Sequence, residues 1–179
     1  MNHRSGNVSV SFFWRRTSAE AVSSLAPQEL LELVPYWRQQ PEVWDAGLVT
    51  GVEFHPSVLD QVLVECCPEQ AAAGLAVYGG EPRKDLWTSP DGEVQEYTVV
   101  TVLPPDEVVA AADALGGAPY EAWISASPQR MTDMVAEFGF STPWHDDWAR
   151  KVVHDLADLS DFYRAAADAG DAMVKYSSC

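Results

Sequence analysis

The stretch Trp144-His145-Asp146-Asp147-Trp148-Ala149-Arg150-Lys151-Val152-Val153-His154-Asp155-Leu156-Ala157-Asp158-Leu159-Ser160-Asp161-Phe162-Tyr163-Arg164-Ala165-Ala166-Ala167-Asp168-Ala169-Gly170 decides the fold. Apolar residues recur at Trp144, Trp148, Val152, Leu156, Leu159, Tyr163 and Ala166, in steps of three and four that keep to one helical face. The other side carries Asp147, Arg150, Lys151, Asp155, Asp158, Asp161, Arg164 and Asp168. Thr142 reads as the N-cap and Pro143 as the first helical residue. Asp146 and Asp147 then complement the positive end of the helix dipole. Gly170 reads as a left-handed C-cap, and Ala172 to Tyr176 as a short strand. Burying each large side chain on the apolar face is worth about 1.5–3 kcal/mol. Such a helix must lie against a sheet or other helices.

Working back toward the N-terminus, Ser127-Pro128 opens a helix with Met131, Met134, Val135 and Phe138 inward, ended at Gly139. Pro104-Pro105-Asp106-Glu107 opens another, ended at Gly116-Gly117. Tyr97 to Leu103 is β-branched and reads as a central strand. Residues 83–93 are polar and turn-rich, with Pro90-Asp91-Gly92 a β-turn. Leu75 to Tyr78 reads as a buried strand and Gly79-Gly80 as its turn; with no Lys-Ser/Thr behind it, the pair is no phosphate loop. Residues 41–70 are broken by Pro41, Gly47, Gly51, Pro56 and Pro68, leaving one short helix after Pro56. Pro27 starts a helix that must stop near Pro35. Thr17 reads as an N-cap with Glu20 closing a capping box, and Val8 to Trp14 as the first strand. The expected fold is α+β. Residues 1–6 are read as a disordered tail. Residues 7–179 are read as a single domain, a largely antiparallel sheet of about four strands with the C-terminal helix across one face.

The formal charge is −16, and it is uneven: residues 1–40 hold four basic and three acidic groups, residues 41–179 seven and 24. That balance argues against a nucleic-acid backbone and against an anionic membrane surface as partner. It suits a basic protein partner drawn in electrostatically, as an immunity-type inhibitor would be, or simply a soluble surface. No apolar run approaches the roughly 18 residues of a membrane span, and Met1 to Gly6 has no signal-peptide core behind it, so a cytoplasmic location is expected. Cys66, Cys67 and Cys179 form neither a disulfide framework nor a zinc pattern, and no cofactor motif is present.

Three stretches together resemble the YfbM-like family, a bacterial family of unknown function. They are Phe12-Phe13-Trp14-Arg15-Arg16-Thr17-Ser18-Ala19-Glu20; Tyr78-Gly79-Gly80-Glu81-Pro82 with Thr101-Val102-Leu103-Pro104-Pro105-Asp106-Glu107-Val108; and Trp144-His145-Asp146-Asp147 with the run from Asp161 to Ala172. Residues 41–70 depart from the pattern, lacking a Trp-bearing helix with a Leu-Leu-Gly-like end. The resemblance implies a compact α+β fold and brings no catalytic residues with it.

Several groupings are candidate sites. Arg15 and Arg16 follow the first strand and Arg83 and Lys84 follow the Gly-Gly turn; if those strand ends meet, they form a basic patch for a small anion. Trp44 and Trp87 lie in loop-like sequence, where an indole anchors a partner or caps a pocket, or packs under a loop. His145 beside Asp146 and Asp147 has the composition of a general base with an orienting carboxylate, or of a helix cap. His154 and Asp158, an i, i+4 pair, are spaced for a metal or for a surface ion pair. His55 before Pro56 and His3 have no neighbouring partner and read as structural or exposed.

Overall fold

The computed structural model describes residues 10–53 and 55–178. In chain order the elements are β1 (Ser11–Thr17), α1 (Ala19–Ser24), α2 (Pro27–Glu32), α3 (Pro41–Asp45), β2 (Val49–Glu53) and α4 (Pro56–Cys66). After a 3-10 turn (Ala71–Leu75) come β3 (Glu81–Thr88), β4 (Val94–Leu103), α5 (Pro105–Gly117), α6 (Tyr120–Ala126), α7 (Pro128–Glu137), α8 (Asp146–Ala169) and β5 (Ala172–Ser178). The strands form one antiparallel sheet in the order β2-β1-β5-β4-β3. The expected α+β class is therefore what the chain adopts, with five strands.

Alternation along the central strands divides the core in two. Phe12 and Trp14 on β1, Met173 on β5 and Leu103 on β4 face α4, α5 and α8, where Leu59, Val62, Val108, Leu115, Leu156 and Tyr163 are buried. Val100, Val102 and Val174 face the other way, onto Val22 of α1 and Leu30 of α2. Phe13 shares that second side and gathers Tyr36, Trp37, Trp44 and Tyr176 around it.

The long helix is unbroken for 24 residues and buries Val152, Leu156, Leu159, Phe162, Tyr163 and Ala166. Gly170 closes it at φ +70, the left-handed geometry that glycine adopts without a Cβ penalty. Its start differs from the sequence expectation. Thr142, Pro143 and Trp144 precede the helix, and His145 is the N-cap, accepting the Trp148 N–H on Nδ1 at 3.4 Å. Trp144 instead leans on Trp148 from outside, with ring centroids 5.7 Å apart.

Other boundaries shift for equally local reasons. Thr17 completes β1, and Ser18 is the cap of α1, its Oγ accepting the Ala21 N–H at 3.1 Å. Residues 75–78 form no strand. The Ala76 carbonyl is taken by two side chains, the Trp14 indole at 2.7 Å and the Tyr163 hydroxyl at 2.8 Å. Lys175, buried on β5, donates to the carbonyls of Leu75 (2.6 Å) and Gly79. This loop is thus bonded from the sheet and α8 rather than along a ladder. Residues 83–88, expected as a polar loop, belong to β3, with the β-turn beyond it as expected. The strand β2 is possible because Gly51 has no Cβ: one added there would lie 2.7 Å from Trp37 Cη2 and 2.9 Å from Phe13 Cδ1. The expected tail, residues 1–6, lies outside the described residues.

Candidate functional site

A cleft of about 760 Å³ opens where the start of α4, the start of α8, Tyr78 and the 138–142 segment meet. Its size is that of a small-molecule site. Pro56 occupies the first turn of α4, so the backbone bends at His55 (φ −136, ψ 34) and sets its ring against the body of the protein. His55 is 2% exposed and its Nε2 lies 2.6 Å from Asp155 Oδ2 on α8. Lys151, one turn earlier on α8, donates to the same carboxylate at 3.0 Å. Burial opposes ionisation of Asp155, but the hydrogen bonds and charges of His55 and Lys151 outweigh it and hold the carboxyl below its ordinary range. An ionised Asp155 has no proton to give, so the hydrogen between the two belongs to His55 Nε2, which donates to the carboxylate.

Beside this dyad, Ser57 Oγ and the Tyr78 hydroxyl are 2.9 Å apart. The Tyr78 ring meets Phe12 edge-on at 5.5 Å. Its backbone N–H bonds Asp60, whose carboxyl is pushed up by burial and only partly brought back by that bond and by the charge of Lys175. Across the cleft the wall is aromatic: Phe140 meets Trp148 edge-on at 5.1 Å, and Phe138 stands 41% exposed beside them. The site therefore sets the polar groups of His55, Ser57 and Tyr78 opposite the rings of Phe138, Phe140 and Trp148, with Ser141, Thr142, His145 and Asp147 also along its lining.

No protein-family model matches the sequence, and no curated protein does. Among solved structures, the chain is similar to YfbM from Escherichia coli, a protein of unknown function, with a TM-score of 0.53 over 94% of this chain and 99% of that one at 12% identity. The fold is YfbM-like. At that identity the likeness carries the architecture alone and assigns no activity.

Within this YfbM-like fold the sequence candidates are spread out. Arg15 and Arg16 project from opposite faces of β1. The first donates to the carbonyls of Leu33 and Leu48, and the second pairs with Asp171 at 2.9 Å. Arg83 donates to the Val22 carbonyl, and Lys84 pairs with Glu96 at 2.7 Å. Two strands separate β1 from β3, about 14 Å of backbone, so the four cations form no common patch. Trp44 stacks on Trp37 at 5.1 Å beside β1, whereas Trp87 is exposed on β3 at the far edge of the sheet. Exposed His154 pairs with Asp158 at 3.3 Å, and no metal-binding group of three or more ligands occurs among the described residues. Asp146 is exposed in the first turn of α8. His145 and Asp147 are the two candidates at the cleft; Asp147 is paired with Arg150.

His55 has a partner after all, and the reason it was illegible is distance along the chain: Asp155 lies 100 positions away. The sequence signal that existed was the Lys151–Asp155 spacing on α8, which marks a carboxylate held in place.

Proposed function

We propose that the protein binds a small, neutral, amphipathic molecule in the cleft. The observation that carries this reading is the facing of two unlike walls: His55, Ser57 and Tyr78 against Phe140 and Trp148. The charges beside it are already matched, Lys151 with Asp155 and Asp147 with Arg150. An incoming ion would have to break one of those pairs. A ligand with a flat or aliphatic body and an amide, carbonyl or hydroxyl head meets both walls without doing so. The test is an NMR screen with matched aromatic amides, carboxylates and amines. The amides are expected to shift the His55 and Trp148 resonances, and Trp148→Ala to weaken them at least tenfold. Equal binding of the charged analogues, or shifts confined to other parts of the molecule, would overturn it.

A second reading is favoured by the charge of −16: an acidic protein that binds a basic protein partner, as an immunity-type inhibitor does. Cys66 and Cys67 are free thiols, which suits a cytoplasmic setting for either reading. No described helix is long and apolar enough to cross a membrane. Capture of a basic partner that weakens with salt supports the second reading; capture indifferent to salt refutes it.

A further inference from the structure

We propose that the β3–β4 hairpin is a docking edge for an extended basic segment of another protein, which pairs along β3 as an additional strand. The inference rests on the basic-partner reading and gives that partner a place to bind.

β3 is the last strand of the sheet, and no described strand pairs with its outer side. Such an edge offers a row of backbone donors and acceptors to any extended chain. The outer part of the hairpin is exposed on both faces, and on one of them Gln28 of α2 donates to Asp85 and to the Tyr97 hydroxyl. Leu86, 64% exposed, lies diagonally across from Val94 on one face; Trp87, 51% exposed, lies diagonally across from Tyr97 on the other. A strand added beside β3 sends alternate side chains to the two faces, so it meets Leu86 on one and Trp87 on the other. Only a strand-like partner uses both.

The charges select its sign. Lys84 is neutralised by Glu96 and Arg83 by Glu81, while Asp85, Asp91 and Glu93 have no basic partner among the described residues. Asp85 also accepts the backbone N–H of Leu86 at 2.8 Å, so the carboxylate that attracts a cation guards a donor of the edge strand. A lysine or arginine that draws Asp85 aside releases that donor. A second copy of this chain is a poor occupant, because it brings another −16 charges to the same edge.

The probe is a synthetic octapeptide of alternating Lys and Val, measured by calorimetry against the full chain. Three controls accompany it: the Glu/Val counterpart, a Lys/Val peptide N-methylated at alternate residues, and the variants Trp87→Ala and Leu86→Asn, whose side chains are more than half exposed. The Lys/Val peptide is expected to bind, at least tenfold tighter than the Glu/Val or N-methylated peptide, and at least fivefold tighter to the parent than to either variant. If it binds in a salt-dependent way but equally to both variants, or equally after N-methylation, the hairpin is not the site and only the basic-partner reading survives. If no Lys/Val binding occurs, the docking edge falls; if binding occurs but ignores salt, the basic-partner reading falls with it. Concentration-dependent dimerisation that Trp87→Ala abolishes would make the occupant a second copy and overturn the proposal.

Discussion

His55 and Asp155, 100 positions apart in the chain, meet at 2.6 Å and tie the N-cap of α4 to the second quarter of α8. Asp155→Asn is expected to cost about 2–3 kcal/mol, because a charge-assisted bond is lost and the Lys151 ammonium loses its acceptor. The pH dependence has a definite sign. The folded carboxyl titrates below the unfolded value of about 4, so its contribution is complete above that value and is lost as pH falls through the lower folded one. Urea unfolding between pH 3 and 7 should show a steeper acid limb for the parent than for the variant.

Lys175 behaves in the opposite chemical class but with the same direction of pH. Burial lowers its amine to about 7, against an unfolded value near 10.4. Between those values the unfolded chain binds the extra proton, so stability rises with pH across that window. Lys175→Met should flatten the rise. At pH 7 it leaves the Leu75 and Gly79 carbonyls without their donor, an expected loss of about 1–3 kcal/mol, read by denaturant midpoint.

Gly51→Ala places a methyl group where Trp37 and Phe13 already stand. The expected cost is about 1–3 kcal/mol from displaced rings. Near-ultraviolet circular dichroism should change with it, since Trp37 stacks on Trp44 at 5.1 Å.

Cys66 is expected to be a slow thiol. Burial, and then the hydrogen bond and charge of Cys67, push it up to about 12, so little thiolate exists at pH 8. In a Cys179→Ser background, a chromogenic disulfide reagent should react roughly a hundredfold more slowly than with a free cysteine. Fast stoichiometric labelling would refute this.

Much of the framework was readable because it obeys strong local rules. The periodicity from Trp148 to Ala166, the cap at Gly170, and the prolines at positions 27, 56, 105 and 128 each mark an element the chain builds. β3 was hidden because the hairpin is solvated on both faces, so polar residues fall on each side and no alternation survives. β2 was hidden by Gly51, which looks like a breaker and is there for the indole above it. The cleft was less legible still. His55, Ser57, Tyr78 and Lys151 are ordinary residues in sequence, and only the packing of α4 on α8 gathers them. Of the groupings suspected beforehand, His145 and Asp147 are the members found at its rim.

The bonds on the 75–79 loop have a kinetic consequence. Trp14 and Lys175 from the sheet and Tyr163 from α8 grip three of its carbonyls, so the segment presenting Tyr78 cannot swing without tearing hydrogen bonds out of the interior. The recess beside it is accordingly ready-made, and occupancy should need no prior rearrangement. Stopped-flow mixing should follow a single exponential whose rate climbs linearly with ligand concentration and never plateaus.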